Sequence, residues 1–282
     1  MSPTSISPRA VPPDARAGVA PPAPRPLLDR LIARDRVIVA VALALAAGLA
    51  WLWLLAAPRG GGMAKGMAMP GAGGIWTLAY LGATFVMWAL MMVAMMLPSA
   101  APMILLYSRF ARQASPRPLA YTAAFLGAYV AVWTLFSLVA ALAQAALVWA
   151  GAVSAMSLAL GNLNAAGALL VLAGLYQLST VKQACLDQCR SPLSFFMRRS
   201  RPGPGGAFRL GLAHGLFCLG CCWALMLLLF VGGVMNLAWI AGLALIVLAE
   251  KALPARFAPR SLVAGVLLVA GLLLLLAPRL AA

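Results

Sequence analysis

Long apolar runs dominate the chain, over residues 37–57, 75–97, 119–150, 161–181, 208–231, 233–252 and 261–278. A helix needs roughly 20 residues to cross the hydrocarbon of a bilayer, and in lipid it must satisfy its own backbone groups. The pattern therefore predicts an all-α, polytopic transmembrane bundle of about seven spans. The third run is longer than one crossing needs, which predicts tilt or an extension beyond the bilayer. The fifth and sixth predict a tight hairpin around Gly232 and Gly233. Pro98 and Pro102 bracket the end of the second run and predict a turn into the following loop. No internal repeat marks an inverted-repeat transporter.

Composition sharpens this picture. Of 282 residues 64% are hydrophobic and 9% charged, which leaves no stretch from which to build a separate soluble domain. Residues 1–36 are rich in proline and arginine and cannot bury enough surface to fold alone, so they are expected to be a disordered basic tail ahead of a transmembrane domain over 37–282. A cleaved signal peptide is not expected, because the first apolar run begins at Val37 and is long enough to span. The formal charge of +16 does not point to nucleic acid, since the basic residues sit in the short segments between apolar runs. With an odd span count and the amino terminus in the cytoplasm, only Arg59, Lys65 and Arg279 of the 21 lysines and arginines fall outside. That asymmetry predicts a bacterial inner-membrane protein with its N-terminus inside.

Sulfur is where the chain carries chemistry. In His-Gly-Leu-Phe-Cys-Leu-Gly-Cys-Cys, His214, Cys218 and Cys222 recur at helical spacing with Cys221 beside them, so all four share one helix face. Thiolates and imidazole suit Cu(I) or Zn(II) and suit magnesium or calcium poorly. One helix cannot close a coordination sphere, and the second run offers Met87, Met91 and Met95 as a stripe with Met92 and Met96 adjacent. Thioethers shift the preference to Cu(I) over Zn(II). Cys185 and Cys189 lie four residues apart after the fourth run and share a face if the helix continues through Asp187. Met63, Met67 and Met69 sit in a glycine-rich segment on the outer side, where thioethers can capture Cu(I); the same segment also reads as a plain linker. Glu250, near the cytoplasmic end of the sixth run, is expected to serve as an accessory charge or to pair with Lys251 or Arg256 at the interface. Gly211 and Gly215 form a small-residue pair able to seat a neighbouring helix, in this chain or another.

The segments Trp-Ala-Leu-Met-Met-Val-Ala-Met-Met-Leu-Pro-Ser-Ala-Ala-Pro-Met, Cys-Leu-Asp-Gln-Cys, the His214–Cys222 run and Ala-Glu-Lys resemble, in order over about residues 76–256, a bacterial family of predicted metal-binding integral membrane proteins. Some of its members are named copper chaperones. The resemblance implies metal binding at Met91, Met92, Met95, Met96, Cys185, Cys189, His214, Cys218, Cys221, Cys222 and Glu250, and brings no catalytic activity with it.

Three functions follow as expectations. The first is a protein that binds Cu(I), with Zn(II) second, and delivers or moves it, with the lipid bilayer and a metal donor or acceptor protein as partners and no nucleic acid. The second is a membrane thiol oxidoreductase exchanging electrons through Cys185 and Cys189. The third is a helical scaffold subunit in which the sulfur residues only pack. No nucleotide-binding motif supports an ATP-driven pump.

Overall fold

The computed structural model describes residues 26–56, 76–114, 117–153, 158–254, 257 and 259–280. Every named element among them is a helix: α1 Pro26–Ala56, α2 Leu78–Ala114, α3 Pro118–Trp149, α4 Leu163–Leu178, α5 Thr180–Arg190, α6 Pro192–Arg199, α7 Pro204–Leu227, α8 Leu229–Gly232, α9 Leu237–Ala252 and α10 Pro259–Leu280. Local chemistry starts several of them. Proline stands in the first turn of α3, α6 and α7, where a missing N–H costs nothing. The side chains of Asn162, Ser179 and Asn236 accept the first free N–H groups of α4, α5 and α9.

Among the described residues five helices are long and apolar enough to cross a membrane, over Val37–Ala56, Leu78–Gln113, Pro118–Trp149, Pro204–Gly232 and Pro259–Ala277. A sixth is reached if α4 and α5, bent by 62° at Ser179, form one broken span. The expected count of seven requires α9 as well, which has only 16 residues. Between α7 and α9 the chain turns at Gly233, whose φ of +88° is the left-handed conformation that glycine permits, so the expected hairpin is present. Apolar side chains such as Leu49, Leu52, Leu262 and Val266 stay more than half exposed along α1 and α10.

Two expectations about helix ends are corrected. Pro98 and Pro102 do not end the methionine-rich helix; both lie inside α2, which runs on to Ala114. A proline frees the carbonyl four residues earlier, and here that carbonyl, of Ala94, accepts a 3.1 Å hydrogen bond from the Trp51 indole of α1. The fourth run, expected to be continuous over 161–181, instead breaks at Ser179, whose extended backbone ends α4 and whose hydroxyl caps α5.

The bundle is assembled by contacts of α1 with α2, α2 with α3, α3 with α7, α5 with α7, and α4 with α10. Glycines let two of these pairs approach closely. A Cβ on Gly211 would overlap the Phe125 carbonyl of α3, and one on Gly215 would sit 2.8 Å from Val132, so the small-residue pair seats a helix of the same chain. In α4 and α10, Gly167 and Gly271 face each other, each bare where a Cβ would lie 2.8 Å from the other's carbonyl oxygen.

Candidate metal centre

The sulfur face of α7 is buried at its contact with α2, α3 and α9. Cys218, Cys221 and Cys222 are each at most 1% exposed. The Cys221 and Cys222 thiols turn back onto the Cys218 carbonyl, at 3.1 and 2.9 Å. Cys222 Sγ also lies 3.9 Å from the Met96 thioether of α2. Tyr129 of α3 closes the group: its hydroxyl donates to the Met96 carbonyl at 3.3 Å and lies 3.2 Å from Cys218 Sγ. Three helices thus meet around two thiols and one thioether.

The charged partner of this cluster is Lys251, at the end of α9. Its ammonium donates to Cys218 Sγ at 3.0 Å and to the Ser99 hydroxyl at 2.9 Å. The amine can do this because its neighbour in sequence is occupied elsewhere. Glu250, expected either as an accessory charge or as an interfacial partner of Lys251 or Arg256, is buried and bonded by Lys182 at 2.6 Å and by the Gln177 amide at 2.9 Å, which replaces a pairing with Lys251 at the interface. Arg190 donates to the Glu250 carbonyl at 2.7 Å, so Lys182 and Arg190 of α5 together clamp the end of α9. Successive residues on a helix point about 100° apart, so Glu250 and Lys251 serve different neighbours. Nothing in the linear sequence reveals Lys182 as the counter-charge, because the bend at Ser179 alone brings it there.

The same bend carries Cys185 and Cys189 back against α7. Cys189 lies beside Cys221 of α7. Cys185 packs on bare Gly220, where a Cβ would lie 2.8 Å from its sulfur. The two cysteines thus face α7, and all five cysteines are free thiols.

His214 does not join the sulfur atoms. Its ring is stacked between Phe125 and Tyr129, with centroids at 6.0 and 5.5 Å, and meets the Phe195 edge at 5.8 Å. The side chain is 3% exposed and its Nδ1 has no hydrogen-bond partner. Of the methionine stripe, Met96 reaches a cysteine. Met87, Met91, Met92 and Met95 are buried in the same core, each at most 3% exposed, and among the described residues the thiol-to-thioether hydrogen bond is the one from Cys222 to Met96. Met63, Met67 and Met69 lie outside the described residues. Among the described residues no three histidine, cysteine or acidic side chains converge on one metal position. What meets here is sulfur with sulfur, a thiol beside a thioether, and side chains of that kind suit soft ions. Sequence reasoning had no signal for Tyr129, since a tyrosine in an apolar helix marks nothing by its spacing.

Over residues 85–274 the chain matches the model of a family described as copper chaperone. The chain belongs to this PpoB2 copper-chaperone family. The match begins in α2 at the methionine stripe and ends in α10, so it takes in the sulfur cluster, the bent α4–α5 pair and the Lys182–Glu250 clamp. The resemblance drawn from the motifs over residues 76–256 is to a family of this name. Comparison with curated proteins and with solved structures returned no match.

Proposed function

We propose that this copper-chaperone family member is a bacterial inner-membrane protein of seven spans, N-terminus in the cytoplasm, that binds Cu(I) at Cys218, Cys222 and Met96 and hands it on. The observation that carries the reading is the meeting of Cys222 and Met96 at 3.9 Å, with the equally buried Cys218 linked to Met96 through the Tyr129 hydroxyl. Thiols and a thioether gathered from separate helices favour Cu(I) over Zn(II), which prefers a tetrahedral thiolate and imidazole set. Cys221, Cys189 and Cys185 continue the sulfur series toward α5, so the ion can pass between donors of similar strength without a deep trap. In the free protein the thiols bond to the Cys218 carbonyl, and rotation about χ1 swings them toward the thioether. His214, caged by aromatic rings, is an accessory residue of the site in this reading. Glu250 acts as an anchor for α9, and the seven spans count both the bent pair and α9 as crossings.

The test is the copper and zinc content of the full-length, detergent-purified protein grown with both metals. Near-stoichiometric copper that is lost in Cys218→Ser with Cys222→Ser supports the site. Equal, low metal in both proteins rules it out.

A further inference from the structure

A cavity of about 320 Å³ lies beside the sulfur cluster, at the small end of the range for small-molecule sites. Its lining includes Ser99, Cys189, Arg190, His214 and Lys251. Two of these are cations, and no carboxylate is among the lining residues. Glu250, next to Lys251 in sequence, has both carboxylate oxygens engaged by Gln177 and Lys182, and Asp187 is held by Gln183 at 2.7 Å. Two buried polar atoms of the lining side chains lack partners, Nη2 of Arg190 and Nδ1 of His214, and His214 is 97% removed from solvent by its 3% exposure. A guanidinium N–H without an acceptor calls for a negatively charged or lone-pair-bearing guest. Lys251 stands between this cavity and Cys218, touching both.

A bare Cu(I) ion would meet two positive charges here before it met a sulfur. A thiolate complex of Cu(I), in which two sulfur anions leave the unit negative, would be drawn in by the same charges. We infer that the cavity is a docking chamber for small anionic Cu(I)–thiolate complexes, and that Lys251 is the positioning residue that receives the complex and uncovers Cys218. This rests on the sulfur cluster being the copper site.

The exchange balances without a redox partner. Copper stays Cu(I) throughout. The Lys251 ammonium leaves Cys218 Sγ for a sulfur of the incoming complex; the Cu–S bond to that carrier breaks as a Cu–S bond to Cys218 forms. If Cys218 starts as a thiolate beside the Lys251 ammonium the carrier departs as a thiolate, and if it starts as a thiol the carrier takes its proton and departs as a thiol. Cys189, which lines the cavity beside Cys221, offers a second sulfur as the carrier leaves.

The experiment follows the rate of copper loading of the full-length protein in detergent from two donors, Cu(I) with excess glutathione, which is anionic, and Cu(I) in acetonitrile, which is cationic. For the native protein, added salt should slow loading from the first and not from the second. Lys251→Gln should slow loading from glutathione by about tenfold while loading from acetonitrile holds or rises, and Lys251→Arg, which keeps the charge, should restore the native preference. Stoichiometric loading with the same response of both donors to salt and to Lys251→Gln overturns the docking chamber and leaves the sulfur site standing. No copper taken from either donor by the native protein overturns both. The salt dependence needs no variant, so the proposal stays testable if Lys251→Gln does not fold.

Discussion

Removing the counter-charge of Glu250 is the most demanding test of how α9 is held. Lys182 and Glu250 meet at 2.6 Å with side chains 1% and 3% exposed, so neither charge is solvated by water. Breaking such a pair by deleting one partner leaves an uncompensated buried charge, a loss of about 3–5 kcal/mol. Lys182→Met should cost this much, softened by the Gln177 amide that still donates to Glu250. Glu250→Leu should cost at least as much, because Lys182 then has no other partner and the Gln177 amide is orphaned as well. Lys182→Met with Glu250→Leu removes both charges and leaves only Gln177 unpaired, a penalty of about 1–3 kcal/mol, less than either single change. The assay is unfolding in detergent followed by tryptophan fluorescence, run on all four proteins as a double-mutant cycle. Single-variant losses below about 1 kcal/mol, or losses that simply add in the double variant, would refute a dry ion pair and mean that water reaches this junction. A functional consequence comes with the energetic one. Freed of Lys182, the end of α9 no longer fixes Lys251 against Cys218, so the salt-dependent preference for the anionic copper donor should fall in Glu250→Leu.

Other outcomes follow from single contacts. Gly211→Ala should destabilise by about 1–3 kcal/mol or prevent folding, since the added methyl meets the backbone carbonyl of Phe125, whereas Gly242→Ala, which meets nothing within 4 Å, should be neutral or gain up to about 1 kcal/mol in the same unfolding assay. Met96→Leu should keep the fold and lower copper affinity by about tenfold or more in a competition titration, while Met87→Leu should leave affinity unchanged. Under a mild oxidant the first disulfide should join Cys189 to Cys221, seen as a crosslinked peptide by mass spectrometry; a Cys185–Cys189 link appearing first would contradict the arrangement.

Much of this protein is legible one residue at a time. Apolar run length gave away the long helices because a segment that buries its backbone in an apolar medium must be long and uncharged, a property visible without knowing any neighbour. The three cysteines of α7 were legible for a similar reason, since a helix of known pitch places Cys218, Cys221 and Cys222 on one face before any packing is known. Pitch also grouped His214 with them, yet the ring went to Phe125, Tyr129 and Phe195, residues distant in sequence whose aromatic faces compete for it. Distance along the chain is what hid the rest. Whether Pro98 ends a helix depends on whether the freed Ala94 carbonyl finds a donor, and that donor, Trp51, comes from a different helix. The choice of Met96 from five clustered methionines, the pairing of Glu250 with Lys182, and the turning of Lys251 onto Cys218 all depend on how α2, α5 and α9 pack around α7. The sequence by itself determined which segments are apolar helices and which face of α7 carries sulfur, because those follow from local composition and helical geometry. The tertiary structure alone decided which donors meet and which charges are left to face them, because those are properties of side chains brought together from different helices.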